Sequence, residues 1–225
     1  MGDSDVTHIS KKEGAAVMTE EFTQKTCRQF VEALGSREPV PGGGGAAALA
    51  GAIGTALGHM VCSLTLGKER YAAVAGEIET AKEECEALES ALLEQVEEDA
   101  KGFAPLAQAY RIPRDRPDRE QRLEEATLCA CEAPMRIMEL CCRAIDVIAK
   151  IAESGARYAI SDAGCGVVCC KAALQSAALN VFINTKALRD RSTAEAMNAR
   201  VSAMLETWCP RADSLYDSIL NGLTE

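Results

Sequence analysis

The sequence predicts an all-α fold, a single-domain helical bundle with long central helices. Three observations carry this expectation. Only 4% of residues are aromatic while Ala, Leu, Glu and Gly abound, so the core is built from small and aliphatic side chains that suit close helix packing. Apolar residues recur at spacings of three and four over long stretches. Short β-rich runs such as Val181 to Ile183 sit inside wider helical patterns, and no two-residue alternation extends beyond a few positions. With 225 residues, 48% of them hydrophobic, the chain holds ample material for one large domain. The expected division is a flexible N-terminal arm over residues 1–17, which lacks apolar periodicity, and a helical domain over 18–225.

Taken in order, Thr19 is placed to cap a first helix with Glu20 and Glu21 in its first turn. Phe22, Cys27, Phe30, Val31 and Leu34 give that helix an apolar face, and Gly35 ends it. A second helix starts within the glycine run after Pro41 and continues to about Leu66. Gly51, Thr55 and Gly58 give it a small-residue face that a neighbouring backbone can approach closely. A third runs from about Val74 to Tyr110, with Ile78, Ala81, Cys85, Leu88, Leu92 and Val96 on one stripe and a kink or break expected near Ala104, before Pro105. The charged, proline-containing stretch RIPRDRPDRE reads as an exposed loop. A fourth helix, from about Asp118 to Glu153, is expected to kink at Pro134. Two more cover about Ser161 to Leu188 and Ser192 to Leu220.

Charge and cysteine usage exclude several function classes. The 24 basic and 34 acidic residues give a net charge of -10, and no segment concentrates Lys and Arg with interleaved aromatics, so no nucleic-acid partner is expected. The segment MGDSDVTHISKKEGAAV lacks the apolar core of a signal peptide, so the eleven cysteines read as reduced, buried thiols and the location as cytoplasmic. CysXXCys is absent and His8 and His59 are the two histidines, which argues against a metal site. Val40 to Gly67 carries no charge and is long enough to span a bilayer. Its glycines and alanines favour a helix buried in a bundle over a membrane span.

Several polar residues stand where chemistry is possible. On the third helix, Leu92, Val96, Asp99, Phe103 and Leu106 follow spacings of four, three, four and three. Asp99 therefore points with the apolar stripe, where burial would raise its pKa; an interhelical salt bridge is the rival reading. On the fifth helix, Asn180 and Asn184 share a face with Ala173 and Ala177, either as helix-to-helix glue or as readers of a heterocycle. Lys186 stands near that helix's C-terminus, where dipole complementarity also explains a cation. Ser161 and Asp162 read as an N-cap with an acidic first turn, or Asp162 faces a ligand. Lys68 and Arg70, beside Tyr71, either close the second helix or receive a carboxylate tail. Gly42, Gly43 and Gly44 open a helix whose free amides can cradle an anion, or they allow close helix crossing. The lysine of a nucleotide P-loop is missing.

Pro41-Gly42-Gly43-Gly44 with its Ala-rich helix, the run from Met60 through Gly67-Lys68-Glu69-Arg70-Tyr71, and Ser161-Asp162-Ala163-Gly164 through Asn180 to Asn184 form an ordered set. That set, over about Thr19 to Leu220, resembles the cyclodeaminase/cyclohydrolase family. Members occur at the C-terminal end of formiminotransferase-cyclodeaminase and as free-standing methenyltetrahydrofolate cyclohydrolases. The resemblance implies an all-helical homodimer that acts on a tetrahydrofolate substrate, with or without a polyglutamate tail, and with no metal or prosthetic group. In the family pattern the acidic residue before AlaXXPhe is catalytic, which assigns that role to Asp99. The resemblance further implies that Asn180, Asn184 and Asp162 orient the pterin or water and that Lys68, Arg70 and Lys186 steer the glutamate tail, with Gly42, Gly43 and Gly44 also among the substrate-binding residues.

Two departures from the family pattern are visible. Gly45 stands where Ser is common, and Gly155-Ala156-Arg157-Tyr158 replaces an Asn-containing stretch. Of the two family reactions, hydrolysis of 5,10-methenyltetrahydrofolate to the 10-formyl form is expected here, because these residues include no transferase domain to hand over a formimino group. Cyclodeamination of formimidoyltetrahydrofolate is the alternative, and a non-catalytic folate-binding or protein-binding helical dimer the second.

Overall fold

The computed structural model describes residues 21–225. The expected arm at residues 1–17 and the expected cap Thr19 lie outside that range. Six α-helices are present among the described residues, with no strand: α1 Cys27–Leu34, α2 Gly43–Thr65, α3 Ala75–Tyr110, α4 Arg119–Ser154, α5 Ile160–Ala187 and α6 Arg191–Thr224. Short 3-10 turns occupy Phe22–Gln24, Glu69–Val74 and Arg157–Ala159. The all-α expectation holds.

Four helices close a ring in which α2 packs on α3, α3 on α4, α4 on α5 and α5 back on α2, while α6 lies outside against α5 and α4. Contacts such as Arg143 with Glu84 and Asn184 with Ala130 pair early residues of one helix with late residues of the next, so the four alternate in direction. The centre is filled by Leu88, Leu92, Val96, Ile137, Ile145 and Ile148, each fully buried. Truncating one of the larger ones to Ala would cost about 2–5 kcal/mol. Small residues set how closely α2 and α5 cross. A methyl on Gly54 would lie 2.6 Å from the Gly166 carbonyl oxygen, and one on Gly166 would lie 2.7 Å from the Gly54 carbonyl. This pair was not among the small residues singled out from spacing.

Three expectations are corrected. The first helix begins at Cys27 because Thr26 and Gln29 form a reciprocal capping box: Thr26 Oγ1 accepts from Gln29 N at 3.2 Å and Gln29 Oε1 accepts from Thr26 N at 2.9 Å. Of its expected apolar face only Phe30 is buried; Val31 is 65% exposed. The third helix does not break at Pro105, and the fourth is likewise one continuous helix through Pro134. Each proline removes one hydrogen bond, and the buried residues on either side, Val96 and Leu106 in α3, hold the turns in place. Ser161 and Asp162 are not a cap. The 3-10 turn Arg157–Ala159 leads into α5, whose N-cap is Ala159, leaving Asp162 in the first helical turn.

All eleven cysteines are free, six of them buried, while Cys27 and Cys165 are exposed, so the buried-thiol expectation holds for part of the set. The uncharged second helix is central, as expected, and α2 and the turn-plus-helix Arg157–Ala187 are both long and apolar enough to cross a bilayer. About half of each is buried inside the bundle. The other half matters below.

Candidate active site

Asp99 enters the site from α3, the helix antiparallel to α2, and its side chain meets the first turn of α2. Leu92 and Val96 on the same stripe are fully buried and Leu106 nearly so, whereas Asp99 is half-buried at the end of the ring. The amide of Gly45 donates to Asp99 Oδ2 at 2.9 Å. The helix N-terminus expected to cradle an anion thus cradles the protein's own carboxylate. No side chain fits between them: a methyl on Gly44 would overlap the whole carboxyl group of Asp99. Gly44 is required for this approach, and the glycine at position 45 brings its amide to hydrogen-bond distance.

The other oxygen, Oδ1, makes no hydrogen bond among the described residues and is not fully buried. Burial pushes the Asp99 carboxyl above the usual carboxylate range, and the Gly45 hydrogen bond partly offsets this. Such a group exchanges protons closer to neutrality than an exposed aspartate.

Asn180 stands on the far side of the same turn. Its side-chain atoms lie 3.2–3.3 Å from where a Gly43 Cβ would be, and its NH2 donates to Ser176 O of its own helix at 2.9 Å. Asn184, one turn further along α5, donates to Ala130 O of α4 at 2.9 Å, which is the helix-tying role. Gly42 is the N-cap of α2 and accepts from Ala46 N at 3.0 Å. Gly43 and Gly44 supply first-turn amides that have no acceptor inside the helix. Lys186 closes α5 at this same end and is exposed.

Lys68, Arg70 and Asp162 are not there. They stand at the opposite end of α2, beyond its C-terminus, where α5 begins. A 23-residue helix separates the two groups, a distance of about 35 Å at 1.5 Å per residue. At that far end Tyr158 OH donates to Leu64 O at 2.7 Å and receives Lys68 Nζ, which also stacks 4.2 Å from the tyrosine ring. Arg70 lies 4.7 Å from the Tyr71 ring and 5.6 Å from that of Tyr158, and Arg157 N donates to Tyr71 OH at 3.2 Å. The divergent stretch at residues 155–158 thus builds a tyrosine platform for two cations. Tyr158 was visible in the sequence only as a departure from the family pattern.

The family model described as formiminotransferase-cyclodeaminase matches residues 26–203, which include the glycine turn, Asp99, the Lys68 to Tyr71 run and both asparagines. The chain belongs to the formiminotransferase-cyclodeaminase family. Among its relatives is a methenyltetrahydrofolate cyclohydrolase of Methylorubrum extorquens, 35% identical over 87% of this chain and 96% of the relative. The formimidoyltransferase-cyclodeaminase of Mus musculus is 27% identical over 80% of this chain but only 34% of that longer protein. A formiminotetrahydrofolate cyclodeaminase of Thermotoga maritima shares the fold with a TM-score of 0.78 at 26% identity, covering 89% of this chain and all of that one. In this family member, the first turn of α2, Asp99 and Asn180 converge, while Lys68, Arg70 and Asp162 gather at the other end of the bundle.

Proposed function

We propose that the protein is a methenyltetrahydrofolate cyclohydrolase in which Asp99 moves the proton. The observation that carries this is Asp99 itself: one oxygen held by the Gly45 amide, the other without a hydrogen bond among the described residues, and burial pushing its pKa upward. The likeness to a cyclohydrolase over nearly the full length of both chains supports this reaction ahead of cyclodeamination.

The bridging carbon of a methenyl group between N5 and N10 is already electrophilic, so a positioned proton carrier is the chief requirement. As water attacks that carbon, the Asp99 carboxylate takes one of its protons. The C–N5 bond then breaks, N5 takes the proton back from Asp99, and the hydroxyl proton leaves to solvent as the N10-formyl group forms. One proton is released per turnover. Asn180 and the amides of Gly43 and Gly44 orient the pterin and the water, and Lys186, at the same end of the chain, faces the carboxylates of a glutamate or polyglutamate tail. The reading needs no prosthetic group. It includes a cytoplasmic setting, which suits eleven unpaired thiols.

A homodimer is part of the same reading. Among the described residues, six of the twelve exposed large hydrophobic residues belong to the stretch spanned by α2, α5 and the turn before it: Ile53, Met60, Tyr158, Val168, Leu179 and Ile183. Exposed apolar residues gathered on one face mark an interaction surface, which a second copy would cover.

The fold likeness to a cyclodeaminase supports the second reading, attack of N10 on an N5-formimino carbon with loss of ammonia. Both are tested together by following loss of methenyltetrahydrofolate absorbance and release of ammonia from formimidoyltetrahydrofolate. The first activity alone is expected. Ammonia release alone would reverse the assignment. Neither activity from a folded dimer would leave the non-catalytic binding reading.

A further inference from the structure

We infer that the site is completed by a second copy of the chain packed antiparallel across the α2–α5 face, so that each Asp99 works with the partner's Lys68 and the partner's Arg70. The inference rests on the folate reading above and goes beyond it, in assigning the tail-binding cations to the other subunit.

The face itself is regular. On α2 the exposed Ile53 and Met60 and the half-buried Ala50 and Leu57 follow spacings of three, four and three, and on α5 Val168, Ala172, Leu179 and Ile183 are exposed. Between Gly43 and Thr65 there is no charged residue. Leu179 and Ile183, 69% and 64% exposed, flank Asn180 and Asn184, so the Asp99 site lies at the edge of this apolar face and whatever covers the face also walls the site.

A two-fold dimer joins the same face of both copies, and only two orientations keep the helices roughly aligned. In the parallel one, Lys68, Arg70 and Arg157 meet their own counterparts, a juxtaposition of like charge. In the antiparallel one, Lys68 and Arg70 lie over the other copy's Asp99, at an end that also carries Lys186, and the dipoles of the two α2 helices oppose. The cations are also available. Arg136, Arg143, Lys150, Lys171, Arg189, Arg200 and Arg211 are each paired with a carboxylate. Lys68 and Arg70 instead rest on tyrosine rings and form no ion pair among the described residues, beside a cavity of about 280 Å³ whose lining includes Thr65, Gly67, Lys68, Glu69 and Tyr71. A ligand with a neutral heterocycle at one end and carboxylates at the other would then lie across the interface, its reacting end on Asp99 and its carboxylates on the partner's Lys68 and the partner's Arg70.

The test is a hybrid dimer. Asp99→Asn and the double variant Lys68→Ala, Arg70→Ala are co-expressed with different tags, and the hybrid is purified through both. If the site is shared, one of its two sites has an intact Asp99 and intact cations, so it recovers about half of wild-type activity at low substrate, above either parent. A hybrid no more active than its parents overturns the inference, because each site would then draw on a single chain. A second measurement is independent of any activity. Amine cross-linking of a mixture of isotopically labelled and unlabelled wild type should join Lys68 of one copy to Lys186 of another, residues a helix length apart within one chain. A Lys68-to-Lys68 link between copies, or a monomer in solution, overturns it. An enzyme inactive on folates that still gives the Lys68-to-Lys186 link would sink the folate reading and leave the antiparallel arrangement standing.

Discussion

At the Gly43 end of α2, a carboxylate is wedged against backbone, half-buried, with one oxygen tied by an amide at 2.9 Å and no room for a methyl group. At the Thr65 end, two cations lie exposed on tyrosine rings and form no ion pair among the described residues. One helix carries both. The difference teaches what each end is suited for: tight packing and burial prepare a group for proton transfer at a fixed position, whereas exposed stacked cations suit recognition of a mobile anionic tail.

The comparison predicts unequal costs. Asp99→Asn keeps the shape and the Gly45 contact but removes the proton carrier, so kcat should fall by roughly 10²–10⁴ with the helical signal intact. Circular dichroism beside the absorbance assay checks this. Gly44→Ala forces the carboxyl group away from the α2 turn, and a displacement of about 1 Å is enough to cost on the order of 10² in kcat/KM. It also overpacks the turn, lowering stability by about 1–3 kcal/mol in chemical denaturation. Replacing Lys68 and Arg70 together with Ala should act differently, raising KM about tenfold while kcat changes little, as expected when uniform binding is lost. A kcat effect as large as that of Asp99→Asn would erase the distinction between the two ends. Smallest is Tyr158→Phe, which deletes the hydroxyl between Lys68 and the Leu64 carbonyl. It should cost about 0.5–1.5 kcal/mol in thermal or chemical unfolding and leave kcat in place.

Much of the acidic end was legible in the sequence. Asp99 interrupts a stripe of spacing four, three, four and three, and a charge in such a stripe must be half-buried whatever the tertiary fold. The glycine run announced a helix start with exposed amides. That the ligand of those amides is Asp99 was not legible, because contact between α2 and α3 depends on register, which local spacing does not encode. Local spacing likewise does not say how far Lys68, Arg70 and Asp162 stand from Asp99; within one chain the 23 helical residues of α2 separate them. Asn180 and Asn184 share a helical face, yet a single turn separates a residue at the site from one bonded to Ala130 of α4. At the N-terminal side, the Thr26 and Gln29 pair was readable as a capping box, but the acidic residues after Thr19 drew the expected boundary earlier.

Asp99 also ties stability to pH. Its folded pKa is raised above the unfolded value, so the native state binds the extra proton and stability declines as pH rises from the ordinary carboxylate range through the raised value. Asp99→Asn should abolish that decline, which thermal melts across this window can follow.

The most direct measurement of the central claim is the pH dependence of kcat for methenyltetrahydrofolate hydrolysis in wild type and Asp99→Asn. If Asp99 acts as the base, the wild-type rate rises with pH through a limb lying above the usual carboxylate range, and the residual rate of Asp99→Asn lacks that limb. The same limb in both proteins would show that another group carries the proton.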